Sequence, residues 1–213
     1  MLRQLYDRWL CYQDGIQTKK RMNMLIKELF RKAIHMCTAF VPLFLSLAYY
    51  PVMALLTAVL VGYCIAEILR CKGHTVPVIS SITMVAARKR DENRFVLGPA
   101  TLAIGVLLTA ALFSDLPAAV GICALAFGDG LASLVGKCFG RTRIPFTGGK
   151  TVAGSLACFV AIFCSTVILT GNTKVSLGCG LVGMACELLP LKDLDNLVIP
   201  IVIACFCQFY FHV

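Results

Sequence analysis

Apolar residues in this chain fall in long, nearly uninterrupted runs, not in the three-to-four-residue rhythm of a helix with one wet face. The runs cover about 36–50, 52–69, 95–113, 117–135, 151–170, 175–190 and 197–212, each near the roughly 20 residues that carry a helix across a bilayer. The first two are separated only by Tyr49, Tyr50 and Pro51, an interfacial aromatic pair and a helix breaker, so a tight hairpin is expected there. The pattern predicts an all-α, polytopic integral membrane protein of about seven transmembrane helices.

Composition agrees. Hydrophobic residues make up 59% of the chain and charged residues 15%, with a mean hydropathy of +0.83, whereas a soluble domain carries about 25% charged residues. Charge then orients the helices. Of the 20 Lys and Arg, only Lys174 falls outside the N-terminal segment and the loops that an odd number of crossings places beside it. By the positive-inside rule the N-terminus and these loops are cytoplasmic. The expected organisation is a basic cytoplasmic segment over 1–33 and one transmembrane domain over 34–213. Met1 to Lys32 has no signal-peptide pattern, so the first span is expected to serve as the insertion signal. The net charge of +9 points to anionic lipid headgroups, and such a face also concentrates a nucleoside triphosphate; nucleic acid is not the partner it implies. The 12 cysteines lie scattered, mostly in apolar runs, without a CxxC pair or zinc-ligand spacing, and read as small packing residues.

Ionisable groups inside spans cost roughly 2.5 to 3.5 kcal/mol each, so each marks a candidate site. Glu67, Asp129 and Glu187 qualify, and all lie toward the cytoplasmic ends of their helices, as do His35, Asp195 and Asn196. Glu67 precedes Arg70 by one turn, which suits an interfacial ion pair as well as a catalytic role. His35 follows Arg31 and Lys32 and equally suits an interfacial position. Asp193 and Asp195 read either as loop solvation or as metal and phosphate-site residues.

Asp129 sits in the most informative stretch, 126–154. Gly128, Ala132, Gly136 and Gly140 recur every four residues and form a smooth ridge for close helix packing. Asp129, Ser133 and Lys137 recur at the same spacing beside it as a polar seam. A basic hairpin with Arg141 and Arg143 follows, and then Gly148, Gly149, Lys150 and Thr151 open the next helix. The last three mimic a P-loop, but the first glycine of the Walker pattern would fall on Ile144. Without that fold, two glycines, a lysine and a hydroxyl at a helix N-terminus still form a phosphate cradle. A carboxylate facing such a cradle suggests phosphoryl or nucleotidyl transfer, with the carboxylate either holding Mg2+ or accepting a proton.

The pattern G-D-G-x-A-x-x-x-G-x-x-x-G over Gly128 to Gly140, followed by G-K-T-x-x-G-S over Gly149 to Ser155, resembles the CTP-dependent lipid kinases: dolichol kinase, phytol kinase and the CTP-using diacylglycerol kinase. "ELFRKAIHM" (Glu28 to Met36), "AEILR" (Ala66 to Arg70) and "DNLVIP" (Asp195 to Pro200) fit the same family, so the likeness runs from about 28 to 212. The resemblance implies transfer of the γ-phosphate of CTP to the hydroxyl of a membrane lipid alcohol, on the cytoplasmic face of a bacterial inner membrane or its equivalent, with Mg2+ or another divalent cation. It implies catalytic roles for Asp129, Lys150 and Glu187, and metal binding by Asp129 and Asp195. Nucleotide contacts are expected from Gly128, Gly136, Gly140, Arg141, Arg143, Gly148, Gly149, Thr151, Gly154 and Asn196, with His35 and Glu67 alongside. Ala153 stands where many relatives carry glutamate in K-T-x-E-G, which bears on nucleotide choice.

Two alternatives compete. Phosphatidate cytidylyltransferase shares the D-x-x-A-x-x-x-G and K-T elements, but also carries a C-terminal K-D-x-[GSA] block with H-G-G and D-R-x-D, where this chain has "PLKDLDNLVIP". A small transporter or scaffold would place its acids at midspan or show repeat symmetry, and neither pattern is seen. Helix-lining Leu, Val and Phe distinguish no particular acceptor, and the sequence leaves the oligomeric state open.

Overall fold

The computed structural model of the chain describes residues 22, 25–74 and 95–212. Among them seven helical segments follow one another: α1 (Leu25–Leu47), α2 (Tyr49–Cys71), α3 (Leu97–Leu112), α4 (Asp115–Phe139), α5 (Val152–Thr170), α6 (Thr173–Leu188) and α7 (Asp195–His212). The described residues contain no strand, only an isolated antiparallel bridge between Arg143 and Thr151. The all-α class is as expected.

Five segments are long and apolar enough to cross a membrane: α1, α2, α4, α5 and Lys192–Phe211, which includes most of α7. Helices α3 and α6 have 16 residues each, about 24 Å at the usual helical rise and short of a ~30 Å hydrocarbon core. Two boundaries differ from expectation. Helix α1 begins at Leu25, well before the anticipated start at 36, so residues 25–33 belong to the helical body. The turn between α1 and α2 falls at Ala48, which leaves the helical region with φ −155° and ψ 77°. Pro51 lies in the first turn of α2, where its missing N–H costs nothing. Most of the basic loop between α2 and α3, on which the charge count drew, lies outside the described residues.

Helix α4 is the centre: 67% of its apolar window is buried, against 11% for α1 and for α2. Val120, Ile122 and Leu125 of α4 meet Val106 of α3, Ile162 of α5, Val175 of α6, and Ile199 and Ile203 of α7 in one cluster. Cys123, Cys158, Cys179, Cys186 and Cys207 are buried as free thiols, which suits the packing role read from the sequence. Lipid tails are as apolar as these side chains, so close contact holds the bundle more than desolvation does. The small-residue ridge of α4 serves that contact: a Cβ on Gly128 would strike Ile162, and one on Gly136 would come 2.9 Å from Thr151 Oγ1. On α7, Pro200 cannot donate to the Asn196 carbonyl, and Gly105 of α3 lies directly against that oxygen.

Hydrogen bonds show which helix ends lie together. Tyr63 Oη donates to Val96 O at 2.7 Å, and Asn196 Nδ2 to Gly98 O at 3.2 Å, joining the end of α2 to the starts of α3 and α7. At the opposite end Tyr49 Oη donates to Ala110 O, and Ser114 N–H donates to Gln208 Oε1. The polar residues singled out above gather at the first of these ends.

Gly121 tests the close-contact argument away from the site, because a Cβ there would come within 3.0 Å of the Ala204 methyl. Gly121→Val is expected to destabilise the fold by about 1 to 3 kcal/mol, seen as a lower melting temperature in detergent. An unchanged melting temperature would show that α4 and α7 are not locked by this approach.

Candidate active site

A cavity of about 450 Å³ opens at that end of the bundle. Helix α4 enters it through a π-helical turn, Ala124–Asp129, which ends on the carboxylate; such turns widen a helix locally and recur where a side chain must be re-aimed. Asp129, Ala132, Ser133, Gly136 and Lys137 form the α4 wall, so the predicted seam faces the cavity.

The opposite wall is the loop into α5. Ile144 N–H donates to Lys150 O at 2.9 Å and Val152 N–H to Thr142 O at 3.1 Å, closing a short hairpin. Its return runs through Gly148 (φ 73°) and Gly149 (φ 97°), a backbone path that favours glycine at both positions. Thr147, Gly148, Gly149, Lys150, Thr151 and Gly154 all line the cavity. The hydroxyl of Thr151 accepts from Gly154 N–H at 3.2 Å and caps α5. A Cβ on Gly154 would come 2.8 Å from Ala132 O, so small residues here let the cradle sit against the Asp129 helix.

The end of α6, the connection after it and the start of α7 add Glu187, Pro190, Lys192 and Asp195 to the lining. Glu187 Oε1 lies 3.3 Å from Lys150 Nζ, and its Oε2 accepts from Ser155 Oγ at 3.1 Å. Asp195 Oδ1 accepts from Asn196 N–H at 2.9 Å.

The third wall was not assigned from sequence. Glu28, Arg31 and Lys32 of α1 line the cavity, and Glu28 and Lys32 are each only 4% exposed. Lys32 Nζ pairs with Asp129 Oδ2, and His35 Nε2 lies 3.2 Å from the same oxygen and 3.2 Å from Leu125 O. Glu28 accepts from Ser133 and pairs with Arg31 and Lys137. The signal was present in "ELFRKAIHM": positions 28, 31, 32 and 35 lie on one helical face.

Other candidates take structural positions. Glu67 is fully buried, holds Arg70 at 2.7 and 2.9 Å and accepts from Val96 N–H at 2.8 Å; it ties α2 to α3 outside the cavity wall, as the ion-pair reading allowed. Asn196 ties α7 to Gly98 and Thr101 of α3. Arg141 and Arg143 are exposed, and neither lines the cavity. Gly128 and Gly140 are packing positions against Ile162 and Thr151, and His35 stands behind Asp129.

The arrangement can bind an anion between α1, α4 and the Gly148–Thr151 turn, with carboxylates close by. Among the described residues no group of three or more His, Cys, Asp or Glu is placed to hold a metal ion.

Comparison with known proteins finds relatives named as lipid kinases. A probable phytol kinase 2 of Oryza sativa is 30% identical over 148 residues, covering 66% of this chain and 47% of the relative. CTP-dependent diacylglycerol kinase 1 of Schizosaccharomyces pombe is 26% identical over 198 residues, covering 84% of this chain and 91% of the relative. This chain is related to phytol kinases and a CTP-dependent diacylglycerol kinase. A phytol kinase of Synechocystis is 36% identical over 111 residues, 47% of this chain and 48% of the relative. The chain spans about half the length of the phytol kinases it matches. No protein-family profile and no solved structure matches it.

The Lys32–Asp129 pair has a testable energetic signature. Removing one partner strands a buried charge, so Lys32→Met alone and Asp129→Leu alone are each expected to cost about 3 to 5 kcal/mol, and the double variant much less than their sum. Additive losses in a thermal double-mutant cycle would mean the two groups do not depend on each other.

Proposed function

We propose that the chain transfers the γ-phosphate of CTP to the hydroxyl of a membrane lipid alcohol, with its site on the cytoplasmic face. The observation that carries this reading is one cavity lined by Asp129, Lys150, the Gly148–Gly149 turn and the α1 cations. The relatives support it: they are named for phytol and for diacylglycerol, both alcohols on long apolar chains, and one is named as CTP-dependent. The one-sided distribution of Lys and Arg supports the cytoplasmic assignment.

Each residue then has a task. The amides of Gly148, Gly149 and Lys150 meet phosphate oxygens as a cradle beside the start of α5, whose dipole favours negative charge. Lys150 and Lys32 neutralise phosphate charge, and Arg31 and Lys137 draw the nucleotide in. In the free protein these cations rest on carboxylates: Lys32 on Asp129, Lys150 on Glu187, and Arg31 and Lys137 on Glu28. Phosphates therefore take over cations that carboxylates held. Asp129 and Asp195 fit a magnesium ion, which commonly uses one or two carboxylates and completes its shell with phosphate and water. Such an ion, when bound, would neutralise charge developing on the transferred group. Lys32 and His35 both engage Asp129 at Oδ2, so its other oxygen is available to a cation. Glu187, once released from Lys150, then takes the acceptor's proton; its resting contacts to Lys150 and Ser155 in the cavity support this role.

The deciding experiment uses membranes supplied with lipid alcohols and CTP labelled on either the γ-phosphate or the cytidine. The γ label is expected in the lipid; cytidine retained in the lipid would replace the kinase with a cytidylyltransferase. Asp129→Asn and Lys150→Ala are each expected to lower transfer by about 100-fold or more while the protein still inserts. Full activity in either removes that residue from the mechanism. Chelation of divalent cations is expected to abolish transfer and added Mg2+ to restore it; transfer that persists in chelator argues against the Asp129–Asp195 metal site.

A further inference from the structure

Helix α1 has two halves that are held in different ways. Beyond the 3-10 turn at Thr38–Phe40, Val41 and Leu45 pack against the central apolar cluster. Before that turn, α1 presents Glu28, Arg31, Lys32 and His35 to the cavity side and leaves Ile26, Leu29, Phe30 and Ile34 exposed on its other face, at 40 to 56%. This half is a wall one helix thick, polar within and apolar without. Its contacts to α4 are chiefly polar: Glu28 with Ser133 and Lys137, Lys32 with Asp129, and His35 with Leu125 O and Asp129. Met36 against Gly130 is an apolar contact close to the turn.

We infer that the half of α1 before Thr38 is the door through which a long-chain alcohol passes from the bilayer into the cavity. The inference rests on the lipid-kinase reading and adds the acceptor's route. A long-chain acceptor carries an apolar tail that gains nothing from water, so its hydroxyl must reach the carboxylates from the side. The outer apolar face of α1 lets this half sit among lipid chains whether it is docked or swung out. The 3-10 turn supplies a break at which the half can pivot, since such turns within a helix commonly mark hinges. The latch is made of the groups that phosphates compete for: when nucleotide phosphates take Lys32 and Lys137, the pairs Lys32–Asp129 and Lys137–Glu28 that join α1 to α4 weaken and α1 is freed. Nucleotide binding thus loosens the door, and the acceptor enters after it.

The test locks the door in the full-length chain, in a background whose native cysteines are replaced by alanine. Glu28→Cys with Ser133→Cys is joined by a reducible bifunctional thiol reagent, and γ-phosphate transfer is measured before linking, after linking and after reduction. The acceptors are a long-chain diacylglycerol or phytol in vesicles, and a short-chain, water-soluble alcohol with the same head group. Linking is expected to lower transfer to the long-chain acceptor by about ten-fold or more while transfer to the short-chain one changes by less than about two-fold, with recovery on reduction. Equal loss of both, or loss of neither, overturns the door. Should the unlinked pair be inactive, Met36→Cys with Gly130→Cys gives a second lock, because a Cβ on Gly130 would come 2.9 Å from Met36 Cγ. A wild-type chain that phosphorylates neither acceptor would refute the kinase reading instead.

Discussion

Charge buried in an apolar bundle has to be neutralised where it sits, and Lys32 with Asp129 does so in the wall of the cavity. Both side chains are largely shielded from water, so each fixes the other, and with it the position of α1 against α4. His35 extends the same junction to the Leu125 carbonyl in the π-helical turn, and Glu28 repeats it one turn earlier with Ser133 and Lys137. The walls of the cavity are therefore held by the groups that would act within it. On the proposed reading, binding and conformational change are coupled for that reason: a phosphate that claims Lys32 or Lys150 takes it from a carboxylate on another helix.

Steric fit does the remaining work. The ridge of small residues on α4 draws α5 in until Gly154 meets Ala132 O and Gly136 meets Thr151, which brings the Gly148–Thr151 turn beside the Asp129 seam. In a lipid solvent, where burying a leucine against another helix gains little, such contact is the available source of cohesion. The ridge and the seam are thus two stripes of one helix, small residues packed against α5 on one and polar groups facing the cavity on the other.

Much of this was legible in the chain itself. Long apolar runs demand helices because lipid offers no partner to an unpaired backbone amide, and acids within them demand an explanation. Asp129 and Glu187 were found on that ground, Lys150 from the Gly-Gly-Lys-Thr turn and Asp195 from its place before the last helix, and the structure brings all four to one cavity. What escaped was the part played by Glu28, Arg31 and Lys32 of α1. Residues 25–33 carry enough charge to resemble a cytoplasmic tail, and only their neighbours show that Glu28 and Lys32 are buried. Glu67 and Asn196 show the converse: both are polar groups in apolar surroundings, yet they satisfy Arg70, Val96, Gly98 and Thr101.

The sequence by itself determined the helical class, the membrane setting and which polar side chains stand in apolar surroundings, because hydropathy, backbone satisfaction and residue identity are local properties. The tertiary structure decided which polar groups share a cavity, which merely join helices, and which half of α1 is held by charge and not by packing. Those are questions of what lies opposite a side chain. In a bundle whose neighbours come from distant positions, such as Lys32 and Asp129, no local pattern carries that information.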